Sequence, residues 1–260
     1  MTPQSYASPH HGTDLTGQVA LVTGASAGLG RRFALILASA GATVAAAARR
    51  KDKLEELGEQ IERGGGRCLP ISLDMTDSDQ IVAAVDTAER ALGPVQILVN
   101  NAGTTDAMRA HKMPLELIDS VIDTNIRGPY LLACEVARRL IAAKLPGRIV
   151  NLSSMTAYHY DGGAAALYSI SKAASIRMTE VLAVEWARYG INVNGIAPGL
   201  TASEMTDGLI ARTGDPSERL PRKRIIDPAM LDGSLLLLCS PAAEAVTGTV
   251  IKIDDAQFPR

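Results

Sequence analysis

A chain of 260 residues with 47% hydrophobic and 21% charged residues reads as one globular unit, and at that length roughly 70–75% of the unfolded surface can be buried without disulfides or a metal. The formal net charge of -2, with no basic stripe, argues against a nucleic-acid partner, and an aromatic content of 3% leaves few platforms for stacking single-stranded bases. The most apolar stretch, residues 33–48, is broken by Gly41 and Thr43 and reads as helix end, turn and strand, not as a membrane span.

Residues 1–14 are polar, carry Pro3, Pro9 and Gly12, and lack the apolar core of a secretory signal. A disordered lead-in is expected there, with His10 and His11 as loop residues. Cys68, Cys134 and Cys239 are far apart and form no Cys/His cluster. They read as small buried hydrophobes in a reducing cytoplasm, and no metal site is expected.

Short β-branched or apolar runs alternate with longer amphipathic segments. Val19-Ala20-Leu21-Val22 is a buried strand, 31–40 a helix ending at Gly41, and 43–48 a second strand. A charged helix over 52–63 stops at Gly64-Gly65-Gly66, and a third strand spans 67–73. Asp77 is the N-cap candidate for a helix over 78–92, followed by a strand over 95–99. A helix over 126–143, a strand over 148–152, a long helix over 166–189 and a strand over 191–196 come next. A helix over 228–239 and a last strand over 249–253 close the chain. This alternation predicts an α/β fold of one domain from 15 to 260, a doubly wound parallel sheet of about seven strands with helices on both faces. Residues 200–226, with Pro216 and Pro221, are too long for an ordinary loop and read as a partly helical lid over a pocket. The run Arg222-Lys223-Arg224 reads as solvated surface.

Two local patterns carry chemistry. Tyr168 and Lys172 are four residues apart, so a helix stacks them on one face. A phenol titrates near pH ~10, and a nearby ammonium lowers that value towards a working acid–base range. Upstream, Thr23 to Gly30 follows the first strand directly and carries glycines at 24, 28 and 30. Glycines at a strand-to-helix turn let the backbone approach a pyrophosphate, which the helix N-terminus then favours.

With these patterns the chain resembles the classical short-chain dehydrogenase/reductases, collinearly from about residue 15 to 253. Thr23 to Gly30 resembles that family's TGxxxGxG motif, and Asn100-Asn101-Ala102-Gly103 its NNAG motif. Asn125 resembles its helix asparagine, Ser153-Ser154 its catalytic serine, Tyr168 and Lys172 its YxxxK pair, and Pro198-Gly199 its PG motif. The resemblance implies that Ser154 polarises a substrate carbonyl, Tyr168 gives or takes the proton, and Lys172 lowers the Tyr168 pKa and holds the nicotinamide ribose. It implies that Asn125 positions a relay water and that the nicotinamide carries the hydride. Ser153 is then a backbone-bonding residue at the strand end. Cofactor contacts are expected from Gly24, Ser26, Gly28, Leu29 and Gly30, from Met75, from Asn101, Ala102 and Gly103, and from Tyr168, Lys172, Pro198 and Gly199. Ser203 stands where the family often has a carboxamide-binding threonine. Asp74 is expected at the adenine amino group, or in a turn beside Asp77.

At the end of the second strand, NAD-dependent relatives place an acid that holds the ribose 2′-hydroxyl. Here Ala48 is followed by Arg49 and Arg50. Arginine grips a 2′-phosphate, so NADP(H) is expected with Arg49 the principal contact; if both arginines are merely solvated, NAD(H) is the alternative. Residues 155–165, with Tyr158, His159, Tyr160 and Asp161, are expected beside the substrate, with Met205 and Leu209 opposite. His159 reads as a solvent-facing residue or a second acid–base group. The expected activity interconverts a ketone, or a 3-oxoacyl carbonyl, with a secondary alcohol. A non-catalytic dinucleotide sensor is the reading from another class. The family resemblance implies a dimer or tetramer built through the helices over 126–143 and 166–189. The last family segment reads Asp254-Asp255-Ala256 here, in place of aspartate-glycine-glycine.

Overall fold

In the computed structural model, residues 12–160 and 162–258 are described. His10, His11, most of the 1–14 lead-in and Asp161 lie outside them. Seven strands form one sheet: β1 (Val19–Thr23), β2 (Thr43–Ala48), β3 (Arg67–Ser72), β4 (Val95–Asn100), β5 (Gly147–Leu152), β6 (Ile191–Pro198) and β7 (Val250–Ile253). Their order is β3-β2-β1-β4-β5-β6-β7, and every pairing is parallel. The helices are α1 (Gly28–Ser39), α2 (Lys51–Arg63), α3 (Ser78–Leu92), α4 (Leu115–Ile122), α5 (Gly128–Ala143), α6 (Ala166–Trp186), α7 (Glu204–Thr213) and α8 (Asp232–Cys239).

Strand alternation divides the core. Ala20 and Val22 of β1 face a layer with Phe33, Leu37, Leu54 and Leu235, from α1, α2 and α8. Val19 and Leu21 face the other layer, with Ile81, Leu132, Leu182 and Trp186 from α3, α5 and α6. Burial on both faces explains why the strands read as continuous apolar runs rather than alternating ones. Pro70 sits in β3 without breaking the sheet because β3 is the edge strand. Cys68 and Cys239 are buried, and burial pushes their thiols up to about 11 and about 12, so both behave as inert core residues. Among the described residues no helix is long and apolar enough to cross a membrane.

Three features differ from the sequence expectation. First, α1 begins at Gly28 rather than 31, because the glycine turn itself supplies the first helical residues. Second, the helix expected from 126 is preceded by α4 and joined to it by a π-helical turn, Asp123–Arg127, which carries Asn125. Third, Arg222 and Arg224 are not simply solvated: their guanidinium groups reach Asp255 at 3.0 and 2.7 Å. The 200–226 segment is partly helical through α7. Its two ends are pinched together by Ala202 N–H to Ile226 O and Ile226 N–H to Leu200 O, both 2.9 Å. Leu200 N–H also donates to Gln257 Oε1 at 2.6 Å, so the C-terminal segment fastens the base of this excursion.

The chain runs β1 to β3 towards one edge, then returns to place β4 on the other side of β1. At such a switch point the loops after β1 and β4 diverge and leave a crevice at the strand C-termini.

Candidate active site

That crevice is a cleft of about 550 Å³. Its walls include Gly24, Ser26, Gly28 and Leu29 of the glycine turn, Arg49 and Arg50 after β2, Asp74 and Met75 after β3, and Asn101, Ala102 and Gly103 after β4. Tyr168, Lys172, Pro198, Ser203, Glu204 and Met205 complete its lining. Gly30, Asn125, Ser154, Gly199 and Leu209 are not on these walls. Gly30 lies beneath, where a Cβ would stand 2.3 Å from Gly24 O, and Gly199 packs against Asp254 and Gln257.

The glycine turn is held from below by Thr23. Its Oγ1 accepts the N–H groups of Asn101 and Ala102, each at 3.0 Å, and Asn101 Nδ2 returns a bond to Thr23 O at 2.9 Å. The loops after β1 and β4 thus form one rigid floor. Gly24 has φ +67°, and a Cβ there would meet Asn101 Nδ2 at 2.8 Å, so only glycine fits this turn. The N-cap of α1, Ala27, offers no side-chain acceptor, and the first turn holds no acid. First-turn N–H groups without such partners, above a cradle a Cβ would fill, suit a pyrophosphate. Asp74 serves a turn as well as the wall: its Oδ1 accepts from Thr76 N–H and Oγ1 at 3.0 and 2.9 Å, while Asp77 caps α3.

On the far side, α6 presents its polar face to the sheet. Asn100 Nδ2 donates to Asn151 Oδ1, and Asn151 Nδ2 to Thr179 Oγ1, both at 3.0 Å. This buried chain ties β4, β5 and α6 in one register. Ser153 Oγ donates to Lys172 O at 2.8 Å, the backbone-bonding arrangement expected of it. The Ser154 hydroxyl instead accepts from Thr156 N–H and Oγ1 at 3.2 and 3.0 Å and lies near enough to the Tyr168 hydroxyl to pull against its raised pKa. Asn125, 3% exposed, accepts from Thr104 N–H at 2.8 Å and donates to Thr104 O and Ser171 Oγ at 2.8 and 2.9 Å. It therefore anchors the loop after β4 to the helix carrying Tyr168.

The Tyr168–Lys172 electrostatics correct the sequence expectation. Lys172 Nζ donates to Leu152 O at 2.8 Å and stands 5.6 Å from the Tyr168 ring centre. Burial pulls the ammonium down to about 8. The Tyr168 phenol is raised, not lowered: desolvation dominates, and the nearby Ser154 hydroxyl offsets part of it. The phenol is thus held protonated at neutral pH, poised as a donor.

Other predicted residues fall less simply. Ser203 is on the wall, but its Oγ accepts Thr206 N–H at 3.2 Å as the N-cap of α7. His159 is exposed and meets Phe258 edge-on at 5.9 Å, and Lys252 Nζ lies 3.9 Å over the Tyr158 ring. The 155–165 loop therefore leans on the C-terminal segment.

Asp106 was not legible in the sequence. It is 5% exposed, and its Oδ2 accepts Leu167 N–H at 3.0 Å. It caps α6 from 61 positions away, where the helix's own N-cap, Ala165, has no side-chain acceptor. No local capping signal could have revealed it.

Comparison with known proteins agrees with this architecture. The family model described as short chain dehydrogenase matches residues 18–213. A 2-dehydro-3-deoxy-D-gluconate 5-dehydrogenase from Dickeya dadantii is 35% identical, over 95% of this chain and 98% of its own. A 3-oxoacyl-[acyl-carrier-protein] reductase from Thermotoga maritima is 36% identical, over 92% and 97%. The structure of a putative 2-deoxy-D-gluconate 3-dehydrogenase from Agrobacterium tumefaciens with bound NADP superposes with a TM-score of 0.85 at 34% identity, covering 95% of this chain and 99% of that one. With the switch-point cleft, the glycine turn and the Ser154–Tyr168–Lys172 cluster all in place, the chain is an oxidoreductase that belongs to the short-chain dehydrogenase/reductase family.

Proposed function

We propose that the protein interconverts a ketone, or a 3-oxoacyl-type carbonyl, and a secondary alcohol, with NADP(H) as the preferred cofactor. The observation that carries this reading is that Tyr168 and Lys172, one helical turn apart, line the same cleft as the glycine turn, with Lys172 Nζ 5.6 Å from the Tyr168 ring centre. When bound, the nicotinamide cofactor supplies or accepts the hydride. Ser154 offers its hydroxyl to the substrate oxygen and polarises it. Tyr168, kept protonated by burial, delivers its phenolic proton to that oxygen in the reducing direction and takes it back in the oxidising one. Lys172, drawn down to about 8, replenishes that proton near neutral pH and holds the cofactor ribose. Asn125 acts through the frame it fixes between the loop after β4 and α6, where a relay water can be held. The 200–226 segment is the lid over the substrate, with Met205 on its inner side.

Arg49 is the principal 2′-phosphate ligand in this reading. It lies on the wall and makes no hydrogen bond or ion pair with other described residues, so its guanidinium is available. The relatives' names point to polyhydroxy acids and acyl thioesters as the substrate classes to try first. Exposed Ile170 and Val184 on α6, at 62% and 81%, with Tyr130 on α5, support a homo-oligomer through these helices. The absence of any disulfide among the described residues is consistent with the cytoplasm.

A second reading, NAD(H) as cofactor, has one observation in its favour: Arg50, the neighbouring cation, is already engaged by Glu204. A panel of ketones, secondary alcohols and acyl thioesters, followed by NADPH and NADH absorbance, tests the function; no turnover with any pair would sink it. Arg49→Ala should raise the NADPH dissociation constant by about ten- to a hundred-fold, the loss expected for a charge-assisted bond, and leave NADH nearly unchanged. Equal effects on both cofactors would remove the 2′-phosphate assignment.

A further inference from the structure

Arg50 follows β2 and bridges two walls of the cleft. Its Nε and Nη2 donate to Ser26 Oγ of the glycine turn at 3.2 and 3.1 Å. Its Nη1 and Nη2 donate to Oε1 and Oε2 of Glu204 at 3.1 and 3.0 Å. Glu204 is the first residue of α7, 154 positions away in sequence. The pair is bidentate, the same fork that arginine presents to a phosphate. Glu204 therefore occupies the donors of Arg50 that an anionic ligand would take. It also places a carboxylate against any anion arriving there.

The bond is weak enough to be displaced. Arg50 and Glu204 are 47% and 66% exposed, and ion pairs at that exposure contribute little to stability. Arg49, immediately before, has no such carboxylate. The two arginines thus differ: one is open to a phosphate, and the other is masked.

We propose that Glu204 is a cofactor-discriminating residue, whose carboxylate masks Arg50 and so opposes binding of a dinucleotide that carries a 2′-phosphate. The sequence pattern usually read for this choice sits at the end of β2; here an acid at the start of α7 acts on the same position from across the cleft. The proposal rests on reading the cleft as a dinucleotide site, and the test separates the two.

Adenosine 2′,5′-bisphosphate and adenosine 5′-monophosphate are titrated by calorimetry into the full-length protein, at fixed ionic strength, as wild type and as Glu204→Gln. The variant should bind the bisphosphate about three- to ten-fold more tightly, the scale of an exposed ion pair, with the monophosphate unchanged. Adding Arg50→Ala to Glu204→Gln should abolish the gain. An unchanged bisphosphate constant, or an equal gain for both probes, overturns the role of Glu204. Wild-type preference for the bisphosphate reports separately on the NADP(H) reading. If wild type lacks that preference and Glu204→Gln creates it, the NADP(H) reading falls and Glu204 stands as the residue that enforces NAD(H). If neither probe binds either protein, the cleft is not a dinucleotide site and both readings fail.

Discussion

Tyr168→Phe should lower turnover by about a thousand-fold or more while changing dinucleotide affinity little, because removing a positioned general acid typically costs about 10²–10⁴ in rate. The substitution keeps the ring and its packing. It deletes only the phenolic oxygen that lies near the Ser154 hydroxyl. The Ser154 hydroxyl keeps its bonds to Thr156, so the loop after β5 should hold its shape. The loss should therefore appear in kcat rather than in cofactor binding. Steady-state turnover on whichever pair the substrate panel identifies, beside the dissociation constant for NADPH by fluorescence, checks both halves. A variant that retained turnover would remove Tyr168 from the chemistry. If wild type and variant both bound dinucleotide and neither turned over any substrate, the sensor reading would prevail.

What could be read in the sequence follows from how far each signal reaches along the chain. The glycine turn, the apolar strands and the Tyr168–Lys172 spacing are local, and a doubly wound parallel sheet follows from the strand–helix alternation with right-handed crossovers. The signal for α4 is also local: Pro114 before Leu115, Ile118, Val121 and Ile122 marks an amphipathic start that the helix expected from 126 leaves out. The π-helical turn that aims Asn125 has no such signature. Spacing placed Lys172 beside Tyr168 but not its Nζ, which turns to Leu152 O; this is why burial rather than the ammonium governs the phenol. Asp106 on Leu167, Glu204 on Arg50 and Asp255 on the basic run join residues dozens of positions apart. Those pairings exist only once the sheet has been wound, and no periodicity encodes them.

Lys172 makes the sharpest case of function set against stability. The residue is 6% exposed, and burial draws its ammonium down to about 8, from 10.5 in its ordinary state. Between those values the unfolded chain holds a proton that the folded protein has released, so raising the pH stabilises the fold across this window. Below about pH 8 both states hold the proton, and the folded state bears the full cost of a buried charge, about 3 kcal/mol. Lys172→Met keeps the apolar stem and removes the charge, and forfeits the bond to Leu152 O, worth about 1 kcal/mol. The variant should therefore be more stable than wild type at pH 7 by about 2 kcal/mol. That advantage should shrink as the pH rises towards 10.5, because wild type alone gains through the window. Its turnover should fall by about a hundred-fold or more, since Tyr168 loses its proton supply. Urea unfolding of both proteins at pH 7, 8, 9 and 10, beside turnover at pH 7, measures the two effects together. A variant less stable than wild type by the same amount at every pH would show that the Leu152 bond outweighs burial and that Lys172 titrates near its ordinary value. The trade then disappears, and with it the argument that this lysine is held in the core for the sake of its proton.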